Sequence, residues 1–211
     1  MMEENIIVEV KSDQQDFYDE LKILMNHTGK VKSETLKTDR KYVVERKGEI
    51  VLREIEEEFS KVGLDFSYDD YIKKNFFISV GLRAASLLLI KKICGFTEDH
   101  IVEMGSLAPK ASIFTRIILK RLSNIELMIK EIPRHWNRFY TVGKMIPFEY
   151  SGEQRFFILQ LKDFDVHPIL CHFYRGYCKG IMTLSGYTVK DVIEKRCVHR
   201  GDGYHEFYIT W

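Results

Sequence analysis

The side chains best suited to chemistry in this chain are cysteines and histidines near its C-terminal end. His167, Cys171 and Cys178 share one face of a helix by their spacing, with Tyr174 between them. Cys197, His199 and His205 gather about a turn, and pairing of the strands that flank it brings Cys197 near His205. Thiolate and imidazole are zinc ligands, and a structural zinc site takes four of them. No arm here has the tight spacing of a known zinc module. Cysteine is also among the most buried residue types and packs as a small hydrophobe. The reading at these positions is therefore no metal.

A second group mixes cations with aromatic rings. PRHWNRFYTVG carries Trp136, Phe139 and Tyr140 beside Arg134 and Arg138, which suits cation–π packing or the rim of a pocket. A guanidinium at Arg138 would orient an anionic or polar head group through directed donors. Gly176 and Gly180 lie four apart in the same helix, where each costs roughly 0.5–1 kcal/mol against alanine. Either the helix approaches the sheet closely there, or the glycines leave room for a ligand between helix and sheet. Lys110, Arg116, Lys120, Arg121, Lys130, Arg134 and Arg138 form a basic stripe that reads as a solvated helix face. GxSxG, the P-loop, GxGxxG, HExxH and CxxC are all absent, so nothing marks a conventional enzyme.

The elements that must position these residues follow from periodicity. NIIVEV at 5–10 reads as a short strand and Gln14 to Met25 as a helix. Residues 30–47 are polar and weakly patterned, and read as loosely packed. From Gly48 the pattern is helical. Ile50, Ile55, Phe59 and Val62 make an apolar stripe, Ser67 with Asp70 resembles a capping box, and an apolar helix spans Phe76 to Ile93 up to Gly95. Beyond Pro109, Phe114, Ile118, Leu122, Ile125, Ile129 and Ile132 recur at helical spacing up to Pro133, which should end or kink that helix. After Thr141 the period changes. Two strands flank Ser151-Gly152, a helix runs from His167 to Ser185 with Pro168 in its first turn, and two more strands flank HRGDG. The fold class is α+β: a helical N-terminal half, then an antiparallel ββαββ unit with helices packed on it. The expected organisation is one domain over 1–211, with a weakly patterned segment 1–47, a helical part 48–140 and the ββαββ part 141–211.

Composition bounds the function. With 45% hydrophobic and 13% aromatic residues, 211 residues can bury a core without staples. The net charge of +1, from 32 basic and 31 acidic residues, points to no nucleic-acid partner. Four cysteines are too few for a disulfide scaffold. The start is acidic, and the apolar run Ala84 to Ile90 is far short of the about 20 residues of a membrane span, so the expected location is cytoplasmic.

The C-terminal stretch GYTVKDVIEKRCVHRGDGYHEFYITW resembles the ending of vinyl-reductase-type (4-vinyl reductase) domains and their relatives, which include sensory domains similar to heme–nitric-oxide-binding folds. Gly186, Cys197, Gly201, Asp202, Phe207 and Trp211 carry the pattern: helix, glycine, a strand ending in cysteine, a Gly-Asp turn and an aromatic-rich strand. EMGSLAPKAS and PRHWNRFYTVG extend it over residues 100–211. The resemblance implies an α+β module that binds a small or hydrophobic ligand in a regulator. Where many relatives carry a second cysteine, this chain has His205, which puts a cysteine-pair mechanism in doubt and leaves a mixed Cys197/His205 site. The YxSxR signature of heme sensors is not found. The expectation is a small-molecule-sensing regulatory domain that acts through a signalling partner protein, as a homodimer. Its ligand would be bound by Trp136, Arg138, Tyr140, Cys171, Tyr174, Cys197 and His205, without a cofactor, zinc and heme not being favoured. A dimerising scaffold protein with the same fold is the alternative, and a metal-dependent enzyme the third choice.

Overall fold

The computed structural model describes residues 2–74, 76–111 and 125–211. Helix α1 (Met2–Met25) opens the chain and includes NIIVEV, where a strand was expected. A helix pairs backbone groups within the segment, whereas a strand there would need a partner. Strand β1 (Lys30–Lys32) pairs antiparallel with β2 (Phe77–Ser79). Helices α2 (Leu36–Lys47), α3 (Glu49–Ser60) and α4 (Tyr68–Lys74) lie between them. Residues 30–47 are thus not loosely packed. α2 buries Leu36, Tyr42 and Val43, and Asp39 in it forms a fully buried ion pair with Arg83. A pair formed across more than forty residues is invisible to local pattern.

The apolar stretch after Phe76 begins as β2 and turns helical at α5 (Val80–Cys94). The Ser79 side chain accepts from the Gly81 N–H and caps α5, and Gly95 in the left-handed region (φ 64°) ends it. Helix α6 (Glu98–Ala111) follows, with Pro109 inside it. The expected helical repeat through Phe114, Ile118 and Leu122 lies outside the described residues, as do Arg116, Lys120 and Arg121 of the basic stripe. Helix α7 (Ile125–Phe139) continues through Pro133 rather than ending there. The cost of an interior proline, about 3 kcal/mol, is offset because the helix beyond it buries Trp136 and Phe139.

The C-terminal part is the expected antiparallel ββαββ unit. β3 (Lys144–Ser151) and β4 (Phe156–Lys162) form a hairpin, α8 (Pro168–Leu184) crosses the sheet, and β5 (Asp191–Arg196) and β6 (His205–Thr210) complete the order β3-β4-β6-β5. His167 caps α8: its Nδ1 accepts from the Ile169 N–H at 3.0 Å, and Pro168 follows in the first turn. Along β6, His205, Phe207 and Ile209 are buried and alternate with half-buried residues. One continuous apolar cluster runs from Leu21 to Ile209 and joins the helices to the sheet.

Gly176 and Gly180 face neither the sheet nor a ligand space. They let α8 pack directly on α6. A Cβ on Gly176 would lie 1.8 Å from the Val102 carbonyl oxygen, and one on Gly180 2.2 Å from that of Ser106. Gly105 makes the reciprocal approach, 2.1 Å from the Phe173 carbonyl oxygen. No described helix is long and apolar enough to cross a membrane.

Candidate functional site

A cavity of about 120 Å³ lies between α7, α8 and the sheet. α7 contributes Met128, Ile132, His135 and Trp136; α8 contributes Tyr174, Tyr177 and Cys178; and Met145, Phe157 and Leu159 come from β3 and β4. Helix periodicity explains this wall, since His135 and Trp136 stand about one or two turns beyond Met128 and Ile132 on the buried stripe of α7. The walls are overwhelmingly apolar. Glu34 and Glu131 are the charged groups among the described lining residues, and no Lys or Arg is among them.

Polar atoms in this region are few and unusually placed. Trp136 stacks on Tyr140 at 4.0 Å between ring centroids, and its indole N–H donates to the carbonyls of Val142 and Gly143. The Tyr174 hydroxyl is buried beside that of Tyr140 and has no well-formed hydrogen bond among the described residues. Burial raises the pKa of both phenols, so both stay protonated. His135 Nε2 lies 2.8 Å from the Tyr177 hydroxyl, and burial pulls the imidazole down to about 4, leaving it neutral near pH 7. Burial pushes the Cys178 thiol up to about 12, which keeps it from acting as a thiolate. Behind the wall, Arg83 packs over the ring of Phe173 at 4.6 Å, pairs with Asp39 and donates to the Thr35 carbonyl at 2.8 Å. Arg83 Nε and Nη2 and Asp39 Oδ1 have no hydrogen-bond partner among the described residues. Sequence reasoning passed over Arg83. Its signal was a guanidinium inside the apolar run GLRAASLLLI, which demands a buried counter-charge.

A separate cluster lies at the far end of α8. Cys171, Glu194, Cys197 and His205 each bring one ligand-type atom, all within 4.8 Å of one another. Cys171 Sγ is 3.8 Å from Cys197 Sγ and 3.5 Å from His205 Nδ1, which is 3.1 Å from Glu194 Oε1. His205 Nε2 lies 2.8 Å from the Phe164 carbonyl oxygen. A carbonyl only accepts, so Nε2 carries a proton and donates. The cysteines and His205 are buried, and burial raises both thiol pKa values.

The residues singled out in the sequence therefore separate into three places. Trp136, Tyr140 and Tyr174 line the cavity. Cys171, Cys197 and His205 meet at the second cluster, with Glu194 as a member that the sequence reading did not include. Arg138 is exposed on α7 and does not line the cavity, so its expected part in orienting a head group is corrected. Two positions beyond Trp136, it lies about 200° further around the helix and so on the outward face. His167, Cys171 and Cys178 do not converge: His167 caps α8 and contacts Glu20, and Cys178 faces the cavity. His199 lies beside the second cluster, its Nδ1 3.4 Å from Asp165.

No protein-family model and no curated protein matches the chain. Its fold does match solved structures. The H-NOX domain from Shewanella oneidensis in the Fe(II)CO ligation state aligns with a TM-score of 0.62 at 11% identity, over 85% of this chain and 97% of that one. The Fe(II) unliganded H-NOX protein from K. algicida aligns with a TM-score of 0.60 at 12% identity, over 85% and 95%. A structure described for modulating heme redox potential through porphyrin distortion aligns with a TM-score of 0.58 at 11% identity, over 85% and 99%. At such identities the likeness establishes the fold: this chain has the α+β fold of H-NOX domains. The expectation of no cofactor is corrected by the same comparison, because the proteins that share the fold are described by the states of their iron and heme.

Proposed function

We propose that this chain is a ligand-sensing regulatory domain whose ligand occupies the cavity between α7, α8 and the sheet. The observation that carries the reading is the buried Tyr174 hydroxyl, left without a well-formed hydrogen bond among the described residues on a mostly apolar wall. An unsatisfied buried hydroxyl costs about 1–3 kcal/mol, and a ligand that supplies a partner recovers that energy. The H-NOX neighbours, whose descriptions give iron and heme states, favour heme as the cofactor of this site. The described residues fit such a group in two respects: the aromatic and aliphatic walls suit a flat apolar ring, and His135 presents a neutral imidazole, the form that ligates iron. Bound heme would supply an iron centre for a small diatomic ligand. The chain would supply the apolar enclosure, and the Tyr140 and Tyr174 hydroxyls would supply hydrogen-bond donors. With no described Lys or Arg on the wall, heme carboxylates would rely on solvent rather than ion pairs.

As it stands, the cavity is close in size to an engineered void of about 150 Å³ that takes up benzene, so a porphyrin requires the walls to part. Signalling through a partner protein, a homodimeric state, a cytoplasmic location and kinship to vinyl-reductase-type domains belong to the same reading. The test is titration of the purified chain with hemin, followed by the Soret band, alongside a thermal-shift screen of apolar and aromatic compounds. Uptake of one heme, weakened in His135→Ala and Trp136→Ala, supports the reading with heme. Stabilisation by an apolar compound without heme uptake supports a heme-free sensor. A ligand at about 100 times its dissociation constant adds about 2.7 kcal/mol. No heme uptake and no shift from any compound would refute the sensor reading.

A further inference from the structure

We infer that the ligand of the cavity is a small apolar carboxylate, and that its head group is held behind the wall by Arg83 and the Tyr174 hydroxyl. This deepens the sensor reading and rests on it. Arg83 is fully buried. Its Nη1 pairs with Asp39 and donates to the Thr35 carbonyl, so α2 engages a single nitrogen. Pairs between arginine and a carboxylate are frequently bidentate. This one is not: Asp39 meets Nη1 through Oδ2, while Oδ1 and the Arg83 nitrogens Nε and Nη2 have no partner among the described residues. Nε and Nη2 form the edge of the planar guanidinium opposite Nη1. Their parallel N–H groups match the two oxygens of a carboxylate.

The residues around Arg83 belong to the cavity. Thr35 and Phe173, which it touches, are lining residues. Tyr140 and Tyr174 also line it; burial raises the pKa of both phenols and the Arg83 charge opposes that rise, so the guanidinium sits within electrostatic reach of both hydroxyls. The Tyr174 hydroxyl donates to the same head group. Arg83 stands behind these side chains rather than on the wall, so the head group passes between them while the apolar body stays against Met145, Phe157 and Leu159. A cavity of about 120 Å³ suits one ring or a short chain.

A carboxylate entering beside Arg83 and Asp39 sets two negative charges against one positive. Burial raises the Asp39 carboxyl to about 7, against the pull of Arg83, so Asp39 takes up one proton as the anion enters. The complex then holds one cation, one anion and a neutral Asp39. Arg83 on α5 is the charged group that acts on Asp39, and Tyr68 on α4, an ionisable neighbour, stays protonated through burial. Glu49, Glu56, Asp69 and Glu103, on the elements packed against α2, are engaged elsewhere, with Arg40, the Tyr68 N–H and Arg46.

The test is calorimetric titration of the full chain with two matched pairs, hexanoate against hexanol and benzoate against benzyl alcohol. Each acid should bind at least about 10-fold more tightly than its alcohol. At pH 8 its binding should take up about one proton, read from the dependence of the heat on the buffer, and its affinity should fall by up to about 10-fold per pH unit above 7. The double variant Arg83→Met/Asp39→Leu removes both charges together, a change that buried pairs tolerate. It should keep the fold by circular dichroism and bind the alcohols as before, while the acids lose about 10–100-fold. Tyr174→Phe, which disturbs no charge, should weaken the acids by about 3–10-fold. Equal binding of acid and alcohol would overturn the inference and leave the cavity reading standing, with water as the partner of Arg83. An acid preference that survives in the double variant, or unchanged acid affinity in Tyr174→Phe, would overturn the assigned residues. Binding of the acid without proton uptake would overturn the role of Asp39. No binding by any of the four compounds would overturn the inference, and heme uptake in the same sample would show that the sensor reading survives it.

Discussion

Replacing Gly176 with alanine sets local and tertiary physics against each other. In an isolated helix the change is favourable, because alanine exceeds glycine in helix propensity by about 0.8–1.0 kcal/mol. In this fold the new Cβ would sit 1.8 Å from the Val102 carbonyl oxygen and 2.9 Å from the Ser106 nitrogen. Both are main-chain atoms of α6, so no rotamer change relieves the clash, and the helices must separate by more than an ångström. Overpacking of this kind costs about 1–3 kcal/mol and occasionally more. A backbone-on-backbone contact belongs at the upper end of that range, so the net expectation is a loss of about 2 kcal/mol after the propensity gain. Urea denaturation followed by circular dichroism measures it. For a chain of this length the midpoint temperature should also fall by several degrees, about 2–4 °C per kcal/mol. Because α8 also walls the cavity through Tyr174 and Cys178, its displacement should weaken heme or apolar-ligand uptake in the same variant. If Gly176→Ala is as stable as the parent or more so, the reading that glycine mediates the contact between α6 and α8 is wrong.

Other perturbations address the charged and titrating groups. Arg83→Met leaves Asp39 buried without its counter-charge and should cost about 3–5 kcal/mol by denaturant titration, and a cost below about 1 kcal/mol would refute the ion-pair account. His135 is neutral when folded, with its pKa held at about 4 by burial, against 6.5 unfolded. The unfolded chain therefore binds more protons between those values, and the heme-free protein should lose stability as pH falls from about 6.5 towards 4, by up to about 3 kcal/mol. His135→Phe should flatten that slope, and an unchanged slope would show that other groups set it.

Much of the ββαββ unit could be read from the residues, because its signals are local. The two-residue alternation of HEFYITW requires one face of β6 to be buried, whichever strand lies beside it. Pro168 and Gly186 bound α8 through their own backbone preferences. The proximity of Cys197 to His205 followed from hairpin pairing alone. Position in three dimensions decided the rest. Residues 30–47 carry little periodicity, yet they fold because Asp39 meets Arg83 and β1 meets β2, contacts that no local window contains. Pro133 stays inside α7 because burial of Trp136 and Phe139 outweighs its local penalty. Gly176 and Gly180 announced a close approach, but only the packing of α8 showed that α6 is the partner. Glu194 joined Cys197 because a register shift in β5 cancels the alternation that would have put residues three apart on opposite faces. Local propensity acts through each residue's own backbone and the turn or strand it sits in. A shared cavity or ligand cluster depends on where separate elements dock, which is set by the shape and charge of surfaces distant in the chain.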